Sequence, residues 1–153
     1  MFLTIVKEGS GRSLIKNKMK KIPLLSFIAA SVFSFREEGL TVQDQMARGK
    51  KVYENNCLAC HMADGGGVPR MNPPLAKTVY VLGDKKRLIG IVLNGMDEPL
   101  EIDGETYSNV MAPHNFLKDQ EIADVLTYVR NSFGNKASAI TAEEVKTVRA
   151  ENK

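Results

Sequence analysis

Tryptophan is absent, and cysteine and histidine occur only twice each. Two Cys and two His at these positions do not form a four-ligand zinc site with the usual spacings. No apolar run reaches the roughly 18–20 residues needed to span a bilayer comfortably; residues 22–35 come nearest and fall short. There is no solenoid-length repeat and no clustered basic face of the kind nucleic-acid binding requires, so a nucleic-acid partner is not expected. Gly65-Gly66-Gly67-Val68-Pro69 lacks the Lys-Ser/Thr and following helix of a phosphate loop. What remains is a globular composition over 153 residues, 43% hydrophobic and 25% charged. That is enough apolar material for one packed core.

The net charge of +3 is unevenly spread: residues 1–35 hold six of the 21 basic residues and one of the 18 acidic ones. Lys16, Lys18, Lys20 and Lys21 precede the apolar run 22–35, and charge returns at Arg36-Glu37-Glu38. A basic stretch, a short apolar stretch and small residues near its end make a secretory signal. Residues 19–34 are therefore expected to be a signal peptide, with Val32 and Ser34 before the cut, or else an uncleaved anchor formed by 22–35. Residues 1–18 read as a mis-assigned extension ahead of Met19. The expected location is periplasmic or otherwise extracytoplasmic, with membrane contact only if this segment stays uncut. Lys85-Lys86-Arg87 reads as a solvated helix face, with docking of an acidic redox partner as the alternative.

Cys57-Leu58-Ala59-Cys60-His61 is C-x-x-C-H, the attachment sequence for c-type haem. On a helical turn the two thiols lie on one side and reach both vinyl groups to form thioethers, while His61 follows directly as the proximal iron ligand. A dithiol redox pair would need a βαβ context that the surrounding pattern does not offer. One covalent haem c is the expected cofactor. Among the methionines, position along the chain leaves Met96 and Met111 open as the sixth ligand, with His114 a bis-histidine alternative. No acid, base or nucleophile constellation is present, so no enzymatic activity is expected.

Over about residues 41–134 the chain resembles the class I monohaem cytochromes c, most of all the small ones of bacterial dehydrogenase and oxidase chains. The order is a helix, C-x-x-C-H, a Gly/Pro-rich loop, a middle helix, a methionine-bearing segment and a C-terminal helix. The resemblance implies an all-α fold of three to four helices around the haem, with long loops. It also implies single-electron transfer between redox partners, namely a dehydrogenase, a cytochrome complex or an oxidase. Permanent residence as a subunit of a dehydrogenase or oxidase is the alternative, and an open-sited haem enzyme or gas sensor the third. It selects Met111, in Tyr107-Ser108-Asn109-Val110-Met111-Ala112-Pro113, as the distal ligand, although Ala112 stands where the family usually has proline. It further implies that the Pro73 carbonyl holds the axial histidine and that Leu75 covers the haem.

Apolar periodicity predicts helices over 41–56 and 117–133, with Val42, Met46, Gly49, Val52 and Tyr53 on one face of the first and Ile122, Val125, Leu126, Val129 and Phe133 on the second. Thr41 is the expected N-cap and Gly134 the expected stop. By resemblance the two helices cross near Gly49, with Tyr53 and Tyr128 at the contact. Asp84 is expected to cap a helix over 85–94, turned inward on Leu88, Ile91 and Val92, and Leu100 and Ile102 hint at a hairpin. Tyr107 is expected to pack on the haem or bond a propionate, or else to pack in the core. The loop glycines are expected to let backbone pass close to the haem. Residues 135–153 read as a linker and a short helix opened by the capping box Thr141–Glu144.

Overall fold

A computed structural model describes residues 41–152. The expected signal peptide at 19–34, the anchor alternative at 22–35 and the extension at 1–18 lie outside the described residues. No helix among the described residues is long and apolar enough to cross a membrane.

Helix α1, Val42–Asn56, starts at Thr41, whose hydroxyl accepts from the Asp44 amide while the Asp44 carboxylate accepts from the Thr41 amide. It crosses α5, Asp119–Arg130. Gly49 makes the crossing possible: a Cβ there would overlap the Asp124 carbonyl and lie 2.8 Å from Tyr128 Cβ. Next to it, Arg48 reaches across with two hydrogen bonds to the buried Asp124 carboxylate, at 2.5 and 2.7 Å. Below, Tyr53, Tyr128 and Phe133 form an aromatic trio with ring centroids 5.4–5.7 Å apart. The expected Tyr53–Tyr128 contact is therefore joined by a third ring. Helix α5 ends at Arg130, earlier than its apolar period suggests, and Phe133 and Gly134 both take positive φ in the turn that follows.

Two further helices are a single turn each: α2, Leu58–His61, and α3, Val79–Leu82, the latter capped by the Thr78 side chain. Helix α4, Lys85–Asn94, is capped by Asp84 through the Arg87 amide, as expected. Leu88, Ile89 and Leu93 are its buried residues, and Ile91 and Val92 are half-buried. Strands β1, Leu100–Ile102, and β2, Glu105–Tyr107, form an antiparallel hairpin with Leu100 opposite Tyr107. Asp103 and Gly104 both adopt positive φ in its two-residue turn.

Helix α6, Ala142–Glu151, packs on α4 and α5, with Ile140 and Val145 fully buried. Thr127 Oγ1 both donates to the Ile140 carbonyl and accepts from its amide. The buried Arg130 guanidinium donates to the carbonyls of Val81 and Ser138 and ties α3 and the 135–140 segment to the end of α5. The basic triplet is largely spent within the chain: Lys85 pairs with Glu144, Lys86 with Glu151, and Arg87 stacks 4.6 Å from the Tyr80 ring centroid.

Glu144 is the hub of the α6 contact. Burial alone would raise its carboxyl pKa, but hydrogen bonds from Lys85 and from the Thr141 backbone and hydroxyl hold it below the usual value. A lowered carboxylate stabilises the fold above its unfolded-state pKa, and that contribution disappears as pH falls through the folded value. Glu144→Gln is expected to cost roughly 1 kcal/mol at neutral pH. Thermal unfolding of the two proteins should show this gap closing on acidification.

Candidate functional site

The polypeptide turns sharply at Cys57, which closes α1 and opens α2. Its amide donates to the Tyr53 carbonyl, and its carbonyl accepts from the amides of Cys60 and His61. One helical turn therefore sets Cys57 and Cys60 on the same side. Both line a cavity of about 350 Å³ together with His61 and Met111. Cys57 is half-buried, Cys60 exposed.

His61 is held from behind. Its Nδ1–H donates to the Pro73 carbonyl at 3.0 Å, the contact expected from the resemblance. This fixes the ring and leaves the lone pair on Nε2. Burial lowers the His61 pKa; the Pro73 contact opposes this and a charge on His114 adds to it. A neutral imidazole is the form that binds a metal.

The glycine-rich loop shapes this support. The Gly67 amide donates to the His61 carbonyl, and the Leu75 amide to the Gly65 carbonyl. A Cβ on Gly67 would lie 2.7 Å from the Pro73 carbonyl carbon and overlap the Asn72 carbonyl; one on Gly65 would press 2.5 Å into the Phe133 ring. These glycines thus make room for the loop's own backbone and for Phe133. Asn135, buried at the end of the loop after α5, clamps the segment from the other side through the Leu75 carbonyl and the Lys77 amide.

Met111 also lines the cavity. Its amide and carbonyl both pair with Met96, at 2.8 and 3.0 Å. The two methionines that the sequence leaves open are thus backbone partners, and both line the cavity. Gly95 seats this bridge: at φ 76° and ψ −171° it occupies a region essentially reserved for glycine. A Cβ there would overlap the Met111 carbonyl and lie 3.0 Å from Pro113 N. Gly95→Ala is expected to cost about 1–3 kcal/mol and to displace Met111. Its readout is a lowered midpoint of denaturant unfolding.

The cavity suits a haem. Its walls are mainly apolar, with Leu75, Val81, Leu88, Leu126 and Val129 among them, and Tyr107 and Asn109 also contribute. Buried His114 Nδ1 has no hydrogen-bond partner among the described residues, an arrangement that costs about 1–3 kcal/mol unless a bound group compensates. No three His, Cys, Asp or Glu among the described residues cluster so as to hold a bare metal ion. The donors suit a metal that carries its own equatorial ligands. Burial, with Cys60 adding to it, pushes the Cys57 thiol up to about 11. That disfavours the thiolate needed for zinc binding or dithiol exchange.

The cytochrome c family model matches residues 46–133. The chain is 37% identical over 113 residues to cytochrome c-552 of Thermus thermophilus, covering 68% of this chain and 86% of that one. It is 37% identical over 103 residues to the cytochrome c subunit of a quinone alcohol dehydrogenase from Gluconobacter oxydans, covering 66% of this chain and 22% of that one. It is 36% identical over 110 residues to the gluconate 2-dehydrogenase cytochrome c subunit of Pantoea cypripedii, covering 69% of this chain and 25% of that one.

Proposed function

The chain belongs to the cytochrome c family and transfers single electrons through covalently bound haem c, and on that premise we propose that Cys57 and Cys60 carry one haem whose iron is held by His61 and Met111. The observation that carries this reading is the convergence of a Pro73-anchored imidazole, two thiols from one turn and a doubly pinned methionine on a single cavity. Each thiol adds its S–H across a vinyl double bond, so attachment consumes no oxidant and releases no electron. Bound there, the haem supplies one-electron exchange at iron.

The chain's own work is then to position and to exclude water. Pro73 orients His61, the Met96–Met111 bridge orients the thioether, and the apolar walls keep the iron dry. With His61 and Met111 both holding the iron, no position would be left there for a substrate, so the domain would act as a carrier and not as an enzyme. Exposed Cys60 marks where the haem edge would come nearest the surface. A small, transient interface is enough for electron exchange with a partner. The partners would be a dehydrogenase, a cytochrome complex or an oxidase, in line with the names of the relatives. We place this exchange outside the cytoplasm, on the basic and apolar pattern of residues 16–35. Because α6 packs against its own domain, the C-terminal tail gives no special support to residence as a fixed subunit.

The visible spectrum tests this assignment. The matured protein should be low-spin in both oxidation states, show the far-red sulfur-to-iron band when oxidised, and remain unchanged under carbon monoxide. A high-spin spectrum or immediate carbon monoxide binding would overturn it.

A further inference from the structure

His114 lines the same cavity as His61 and Met111. Its Nδ1 is sealed from solvent, and no described residue offers it a partner. The ring rests 5.7 Å from Phe116, and His61 and His114 line one cavity.

The backbone of His114 is fixed independently of Met111. Its amide donates to the Val92 carbonyl in α4 and its carbonyl accepts from the Leu117 amide, whereas Met111 is pinned to Met96. Ala112 and Pro113 alone separate the two anchor points, and proline restricts that link further. Freeing the Met111 side chain would therefore leave His114 in place. No described residue competes for its unpartnered nitrogen.

We infer that His114 is a reserve distal ligand, which takes the sixth iron position when the Met111 thioether leaves. This rests on the Met111 assignment above. The exchange is a substitution of lone-pair donors: the iron–sulfur bond breaks, an iron–nitrogen bond forms, and neither electron nor proton is lost from a neutral imidazole. Thioether ligation raises the potential of haem iron and imidazole ligation does not. The chain would thus hold a high-potential and a low-potential state in one cavity.

The test compares the wild-type holoprotein with Met111→Ala and with Met111→Ala/His114→Ala. Haem retention and helical circular dichroism serve as the check that each is folded. Met111→Ala should lose the far-red band, stay low-spin and titrate at a lower midpoint potential. The double variant should turn high-spin and bind carbon monoxide at once. A high-spin Met111→Ala protein would overturn the inference while leaving the Met111 assignment standing, and so would a low-spin state that survives in the double variant. A wild-type spectrum without the far-red band would overturn the Met111 assignment, and the inference with it.

Discussion

Replacing both Cys57 and Cys60 with serine is expected to abolish haem retention under denaturing conditions and to leave little folded protein. The cavity accounts for the size of the effect. Leu75, Val81, Leu88, Leu126 and Val129 all contribute to its wall, so much of the apolar surface in this small domain is satisfied by what the cavity holds. Apolar burial contributes about 25 cal/mol per Å², while net stabilities of whole domains are only about 5–15 kcal/mol. Losing the covalent tie turns a permanent part of the core into a ligand that dissociates. The two thiols should also differ when replaced singly. Cys57 is half-buried and Cys60 exposed, so Cys57→Ser places a hydroxyl where the surroundings are apolar, whereas Cys60→Ser leaves it in water. Haem staining of denaturing gels, with the alkaline pyridine spectrum to count remaining thioethers, measures both effects. Full retention of haem by the double variant would mean that attachment occurs elsewhere.

Gly49→Val is expected to destabilise the folded protein by about 3 kcal/mol or more, at or beyond the upper end of ordinary overpacking. The first added carbon already overlaps the Asp124 carbonyl, and helix backbone cannot yield as a flexible side chain does. Separating α1 from α5 would also loosen the paired Arg48–Asp124 hydrogen bonds. Asp124 is buried, and Gln120 is its other side-chain partner. Leaving a buried acceptor short of a partner costs about 1–3 kcal/mol, so even partial loosening adds to the overlap. Gly49→Ala should show a smaller loss of the same sign. Guanidinium unfolding of the holoproteins gives the numbers, and a midpoint unchanged in the valine variant would refute the close crossing.

Much of this arrangement is legible in the amino-acid sequence. Helices α1, α4 and α5 announce themselves through apolar periodicity, and Thr41, Asp84 and Thr141 through local capping chemistry, because both signals lie within a few residues of one another. Gly49 stands out as an otherwise poor residue on an apolar helical face. The Pro73–His61 contact follows from family resemblance alone, since nothing local reveals a hydrogen bond between a loop carbonyl and a ring twelve residues away. The Met96–Met111 bridge is silent in the sequence because an isolated pairing has no period. Helix α3 is too short to show a repeat. Phe133 continues the apolar period of α5, but the helix stops at Arg130 and the ring returns from a turn to join Tyr53 and Tyr128. The use of Lys85 and Lys86 to hold α6 is equally invisible, because their partners lie more than fifty residues further on.

The most direct test is the intact mass of the matured protein, measured under denaturing and reducing conditions. The expected value is that of the processed chain plus one haem, with the added mass on the peptide containing Cys57, Cys60 and His61. A chain at its bare mass, with both thiols open to alkylation, would contradict covalent haem attachment at this turn and the electron-transfer site built upon it.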